Sequence, residues 1–247
     1  MGFLPDLAIP ATLQDSLMAR LDRLVTARGV AQLGAVIGRQ FSYALLLAVS
    51  ELDDATQQHE LGRLLESDLL YQRGELPQAT YMFKHTMIQE AAYQSLLKST
   101  RQQVHKRLFQ VLADQFPDAV QTRPELLAYH ATEAGLTDQA IWYWHQAGQH
   151  ALQRSANIEA VAHFRQGLAL LGGLADTPER RQQELSLHAA LATVLITTQG
   201  FAAPEVIHVY MRARDLYPWS SGRLCVETYG FASRVSLRDS RFPSETC

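Results

Sequence analysis

The sequence predicts a mainly α-helical protein with one small β-hairpin in its first half. Apolar residues recur at helical spacing over most of the 247 residues, which is the primary signal for amphipathic helices. Residues 69–73 and 79–84 alternate as strands do, and Gly74 and Pro77 in their linker are typical of a hairpin turn. The second half contains segments that align with one another. We therefore expect helices around one hairpin, followed by repeated helices.

Four short helices are predicted before the hairpin, over residues 12–24, 30–36, 42–49 and 54–66. Asp53 or Asp54 suits the cap of the fourth, because a carboxylate accepts hydrogen bonds from the first free N–H groups. Helices followed by one hairpin form the outline of a winged helix, in which the hairpin is the wing.

The junction between the second hairpin strand and the next helix has the sharpest functional interpretation. Residues 81–93 begin as a strand and turn at once into an amphipathic helix, with His85 at the boundary. The first N–H groups of a helix lack intrahelical partners and attract anionic groups. We expect this helical pattern to continue to Phe116, with a break near Lys98, and to end at Pro117.

The second half shows a small–aromatic–small repeat. Residues 136–147 align with residues 156–167, and residues 200–213 provide a further copy. In this alignment Ala140 corresponds to Ala160, Trp144 to Phe164, and Ala147 to Gly167. Tyr210 and Ala213 occupy the later positions of the third copy. Small residues on either side of an aromatic ring let helices approach closely, as in tetratricopeptide helix pairs.

The two tryptophans of this repeat region have different expected environments. Trp142 and Trp144 are two residues apart and cannot share one face of a helix. Trp144 is expected in the core because it aligns with Phe164, and Trp142 near the surface, where a partner could stack. With Tyr210, these side chains are the candidates for repeat packing and protein interaction. A further helix is predicted to start at Thr177 and Pro178.

Composition is that of an ordinary globular protein, with 47% apolar and 19% charged residues and a net charge of −3. No strong field attracts nucleic acid or anionic lipid. Cys225 and Cys247 form neither a disulfide framework nor a paired-cysteine metal site. No apolar run is long enough to span a bilayer and no signal peptide is visible, so a cytoplasmic location without membrane contact is expected.

Searches for catalytic motifs are negative. The sequence contains no Gly-x-x-x-x-Gly-Lys-Ser/Thr loop, no Gly-x-Gly-x-x-Gly, no Gly-x-Ser-x-Gly and no His-Glu-x-x-His. His145 and His150 are off a common helical face by roughly 140°, so we expect partly exposed histidines there and no metal site. Neither enzymatic activity nor a cofactor is predicted for this chain.

Two charged segments bear on possible partners. The helix at residues 56–67, which would enter a DNA groove, carries Glu60 and Glu66 against a single Arg63, and this balance disfavours nucleic acid. A basic stripe follows the hairpin and is expected to be a solvated helix face, with contact to an acidic neighbouring domain as the alternative. Its members are Lys98, Arg101, His105, Lys106 and Arg107.

Residues 9–24, 34–41 and 83–93 together resemble the region that follows the ATPase core in STAND-type signal-transduction ATPases, a family linked to cyclase, kinase or LuxR-type domains. The resemblance covers about residues 5–217. It implies a winged-helix subdomain with its following long helix at 5–116 and tetratricopeptide-like repeats at 120–217. It also implies that His85 senses a bound diphosphate when the nucleotide-binding domain is present. We expect residues 218–247 to be an irregular, disordered tail.

The family's phosphate-binding segments do not occur in this sequence, which is therefore expected to be a fragment or a stand-alone remnant. The leading hypothesis is a non-catalytic regulatory and protein-interaction module. Its expected partners are other proteins, through the repeats, and the nucleotide-binding domain of a larger protein. The alternatives are an ATP-binding signalling ATPase or cyclase completed by another chain, and a winged-helix DNA-binding regulator.

Overall fold

The computed structural model describes residues 23–24 and 26–216. Within this range the protein is mainly helical, with eleven helices and one three-stranded antiparallel sheet. It divides into two compact units at the bond between Ala140 and Ile141. All but the last two residues of the predicted first helix, and the predicted tail at 218–247, lie outside the described residues.

The first unit begins with helices and strands that enclose the predicted hairpin. In chain order these are α1 (Ala27–Ile37), β1 (Gln40–Ser42), α2 (Tyr43–Val49), α3 (Asp54–Glu66), β2 (Leu70–Arg73) and β3 (Thr80–Phe83). The three predicted helices in this range and both predicted strands are confirmed to within a few residues. Strand β1 was not predicted.

The sheet has the order β1-β3-β2, with β3 in the centre and antiparallel to both neighbours. Phe41 pairs with Tyr81 across β1 and β3, and their rings stack at 6.0 Å. Gly34 of α1 lies directly over this face, because a Cβ added there would be 2.7 Å from the Phe41 ring. The absence of a side chain at Gly34 therefore lets α1 approach the sheet closely.

Side-chain caps determine where the short helices of this unit begin. The Ser42 hydroxyl accepts the Leu45 N–H at 3.2 Å at the start of α2. At the start of α3 the Asp53 carboxylate accepts the Thr56 N–H at 3.0 Å. Asp53 is thus the cap, and Asp54 instead accepts a hydrogen bond from the Tyr43 hydroxyl.

Four further helices lie wholly within the first unit: α4 (Thr86–Gln94), α5 (Lys98–Gln115), α6 (Pro117–Thr122) and α7 (Pro124–Glu133). The predicted break lies just before Lys98, where the Ser95 hydroxyl donates to the Ala92 carbonyl at 2.7 Å and accepts from Gln32 at 2.8 Å. Pro117 follows the end of α5 as predicted, and it also opens α6, since proline is tolerated in a first helical turn.

Helix α8 (Thr137–Gln153) contains the boundary between the units, and the second unit continues with α9 (Asn157–Leu171), α10 (Pro178–Gln199) and α11 (Pro204–Leu216). The predicted start of α10 is confirmed, because the Thr177 hydroxyl accepts the Arg180 N–H at 3.2 Å. The apolar core of this unit includes Ile141, Ala160, Phe164, Leu187, Leu191, Leu195, Val206 and Val209.

Small residues and aromatic rings do meet in this second unit. Phe164 is fully buried, and a Cβ at Gly148 would lie 2.2 Å from its ring. At Gly167 an added Cβ would be 3.1 Å from Leu187 and 3.5 Å from the Trp144 Cβ. Three of the positions predicted to be interior are only half-buried, and they are not part of this core: Trp144, Tyr210 and Ala213.

Among the residues that the structure describes, no helix combines the length and apolar character needed to cross a membrane.

Candidate functional site

The strand-to-helix junction at His85 is the first candidate site. His85 occupies the cap position of α4 with an extended backbone, at φ −129° and ψ 138°. Its carbonyl accepts the Ile88 N–H at 3.0 Å, but its side chain makes no capping hydrogen bond. Because the residue is exposed, the imidazole faces solvent at the amino end of the helix.

The chain just before His85 is held firmly in place. The Lys84 N–H donates to the Leu69 carbonyl at 3.1 Å, which extends the pairing beyond β3. The Lys84 ammonium forms an ion pair with Asp68 and lies 4.5 Å from the centre of the Tyr71 ring. The end of β3 is thereby tied to the turn between α3 and β2, so that His85 projects from a rigid frame.

This geometry can contact an anionic group, but it does not enclose one. The partial positive charge at the amino end of α4 favours anions near His85, and the effect acts over about one helical turn. A phosphate site usually takes several converging backbone N–H groups from a glycine-rich loop. His85 therefore offers a single contact to a phosphate that another domain would have to hold.

A second polar cluster lies inside the first unit, and the sequence interpretation missed it. His105 of α5 and His130 of α7 are both fully buried, and their Nδ1 atoms lie 2.9 Å apart. His105 Nε2 lies 3.2 Å from the Tyr93 hydroxyl, which also donates to the Glu133 carboxylate at 3.5 Å. This series of hydrogen-bonded side chains links α4, α5 and α7.

The position of His105 corrects the interpretation of the basic stripe as a solvated face. His105 is 0% exposed, although Lys98 and Lys106 are exposed as expected. Its spacing to Leu108 and Leu112 provided the signal, since residues three and seven positions apart share a helical face. Counting His105 with the cations of the stripe concealed this pattern.

Electrostatics keep the histidine pair neutral near pH 7. Burial, with a smaller contribution from Arg101, lowers the pKa of His105 to about 4. Burial, and then the neighbouring His105, lowers the pKa of His130 to about 3. A contact between two Nδ1 atoms needs one N–H and one lone pair, so two imidazolium rings cannot maintain it. His130 Nε2 is buried without a hydrogen-bond partner in the described structure.

A third polar cluster lies in the second unit and was also missed. The Glu184 carboxylate of α10 is nearly buried at 6% exposure. It accepts from Arg212 of α11 at 2.8 Å and forms an ion pair with Arg180 at 3.1 Å. Arg180 also donates to the Leu171 carbonyl at 3.0 Å, so the cluster connects α10, α11 and the end of α9.

The four repeat residues singled out from the sequence all lie in the second unit. Trp142 is 53% exposed and meets Tyr143 edge-on, with ring centres 4.6 Å apart. Trp144 is half-buried and stacks on His163 at 5.4 Å. Phe164 is in the core and Tyr210 is half-buried. Trp142 is thus the aromatic ring of this set with the most surface open to a partner.

Within the described residues, no group of three or more His, Cys, Asp or Glu side chains is arranged to hold a metal ion. His145 and His150 are both half-buried, as expected for helix-surface histidines, and burial lowers the pKa of His145.

An uncharacterized protein of Rhizobium meliloti (strain 1021) is 31% identical to this chain over 201 residues. The aligned region is 81% of this chain but 20% of the relative, so the chain spans about a fifth of that protein's length. No family model matches the chain, and no solved structure matches it. The name of the relative states no activity, so function must be argued from the residues themselves.

Proposed function

We propose that the chain is a non-catalytic regulatory and protein-interaction module of a STAND-type signalling ATPase, which couples the nucleotide state to a helical-repeat sensor. The observation that carries this proposal is the exposed His85 at the amino end of α4, presented by the fixed end of β3. Such a residue can contact the phosphate of a nucleotide that a neighbouring domain holds.

The arrangement around this junction supports a winged-helix interpretation of the first unit. Its elements follow the order helix, strand, two helices and hairpin, and the first strand joins the hairpin in one sheet. Strand β1 therefore strengthens the interpretation, although the sequence did not predict it. The hairpin of β2 and β3 corresponds to the wing. His85 lies two residues after the end of β3.

The second unit supports the protein-interaction part of the proposal. Its helices pack through small residues against Phe164 and Trp144, in the manner expected of tetratricopeptide-like pairs. Trp142 lies exposed on α8, and large exposed aromatic rings are enriched at protein interfaces. We propose that a protein partner stacks on this ring.

The charges of α3 favour this function over DNA binding. Arg63 donates to the Thr26 hydroxyl at 2.6 Å and pairs with Glu60 at 3.3 Å, so it is engaged within the protein. The helix that would read a DNA groove thus has its single arginine engaged and presents Glu66, while Glu60 is buried. Phosphate backbones require clusters of Lys and Arg instead.

Two observations test the proposal. Reading the DNA on either side of the gene should reveal a frame that encodes a P-loop nucleotide-binding domain upstream. Calorimetry of the 247-residue chain alone should show no measurable binding of ATP or ADP at millimolar concentration, because one histidine does not replace a phosphate cradle. Micromolar nucleotide binding by the chain alone would contradict the proposal and favour an ATP-binding protein.

A further inference from the structure

A cleft of about 250 Å³ opens on the first unit, away from any residue used in the proposed function. Its floor is the carboxyl end of α1, at Val36 and Gly38. Its walls are Glu90 and Tyr93 of α4 and Tyr129 of α7. Such a space holds one extended side chain rather than a cofactor.

Two elements of the cleft can attract a cation. The carboxyl end of α1 contributes the negative end of a helix dipole, and no basic residue lies in its last turn. Glu90 is exposed, and within the described residues no cation pairs with it. The Gln89 amide donates to the Ala35 carbonyl at 3.2 Å, which fixes α4 against the end of α1.

Aromatic rings complete the cleft. Tyr129 is 43% exposed, and its ring centre lies 5.6 Å from that of His105 and 5.1 Å from that of His130. Because that histidine pair is neutral near pH 7, the two imidazoles next to this ring carry no positive charge. The neighbouring ring of Tyr93 already carries the guanidinium of Arg101 at 4.9 Å, so a cation–π contact forms in this environment.

We infer that this cleft receives an arginine side chain presented by a partner protein. The planar guanidinium would stack on Tyr129 while its N–H groups donate to the Glu90 carboxylate and to the carbonyl end of α1. Arginine fits better than lysine, because a flat ion can satisfy the ring and the carboxylate together. This contact is separate from both His85 and Trp142, so its failure would leave the proposed function untouched.

The test is an NMR titration of the full chain with acetyl-arginine-amide, monitored at the Gly38 backbone amide and the Gln89 side-chain amide. Binding should be saturable with a dissociation constant on the order of millimolar, as befits one isolated side chain. Acetyl-citrulline-amide, which has nearly the same shape without the charge, should bind at least about tenfold more weakly.

Matched variants separate the site from general electrostatics. Glu90→Gln should weaken binding at least about threefold, whereas Glu66→Gln, at an exposed carboxylate on α3, should leave it unchanged. Tyr129→Phe should retain the affinity and Tyr129→Leu should lose about fivefold or more. Equal effects of Glu90→Gln and Glu66→Gln would overturn the inference. Tighter binding of spermidine than of acetyl-arginine-amide would also overturn it, in favour of a free polyamine.

Discussion

The two units of this protein bury polar side chains in opposite ways. The first unit buries two histidines, His105 and His130, in neutral form and lets them bond to each other. The second unit buries a charged carboxylate, Glu184, and surrounds it with Arg180 and Arg212. Each arrangement gives its buried polar groups partners, as folding requires. They differ in what disturbs them: added protons affect the first, and loss of a partner charge affects the second.

The largest effect should come from removing a charge from the second unit. Arg180→Met leaves Glu184 buried with one arginine fewer and should lower the free energy of unfolding by roughly 3 kcal/mol. Urea denaturation of the full chain measures this. The control is Arg181→Met on the same helix, where both partners of the ion pair are 55% exposed. It should cost no more than about 0.5 kcal/mol. Equal costs would remove the distinction between buried and exposed pairs.

A second prediction compares helical glycines of the two units. Gly148→Ala in the second unit should cost roughly 2 kcal/mol, because the new methyl group meets the fully buried Phe164 ring. Gly62→Ala in α3 of the first unit has nothing within 4 Å and should stabilise by about 0.5–1 kcal/mol. Opposite shifts in melting temperature are expected. A stabilising Gly148→Ala would show that α8 and α9 do not approach each other closely at Phe164.

A third prediction concerns acid. The folded pKa values of His105 and His130, about 4 and about 3, lie below the ordinary value of 6.5. The unfolded chain therefore takes up protons first, and stability that is present above pH 6.5 is lost as the pH falls towards 4 and 3. We expect a loss of about 1–2 kcal/mol for each histidine between pH 6.5 and 5.

Hydrogen exchange of α5 and α7 amides as a function of pH measures this loss directly. The double variant His105→Leu, His130→Leu removes both partners and should flatten the pH dependence in that window. His59→Leu, at an exposed histidine on α3, should leave it intact. An unchanged pH dependence in the double variant would contradict the role given to the pair.

The smallest effect is expected for Trp142, which is compared with Trp144 of the same unit. Trp142→Ala should change stability by less than about 0.5 kcal/mol, because the ring is 53% exposed. Trp144→Ala removes the ring stacked on His163 and should cost roughly 2 kcal/mol. Thermal melts rank the two variants. The reverse order would assign the core position to Trp142.

Local signals made much of the fold predictable from the sequence. Asp53 and Thr177 mark helix starts by chemistry that acts within three residues, and both were found at caps. Strand β1 was missed because three residues are too few to display a period of two. Its partner β3 lies about forty residues further along the chain, and only the folded sheet reveals the pairing.

The candidate sites were less predictable, for the same reason. The sequence singles out His85 because its signal is a junction between two adjacent patterns. It does not reveal Glu184, whose partner Arg212 is 28 residues away on another helix. Nor does it show the pairing of His105 with His130, which depends on how α5 packs against α7. Contacts between distant helices depend on how the helices pack. The spacing of residues within one segment does not predict that packing.

We propose that His85 contacts the phosphate of a nucleotide that another domain holds. One titration of ADP affinity tests this contact. The nucleotide-binding domain expected upstream would be mixed with this chain and titrated with ADP by calorimetry. We predict that His85→Ala weakens ADP binding by about tenfold, as expected for loss of one charge-assisted contact, whereas His59→Ala leaves it unchanged. Equal ADP affinity for the unaltered chain and His85→Ala would contradict the account.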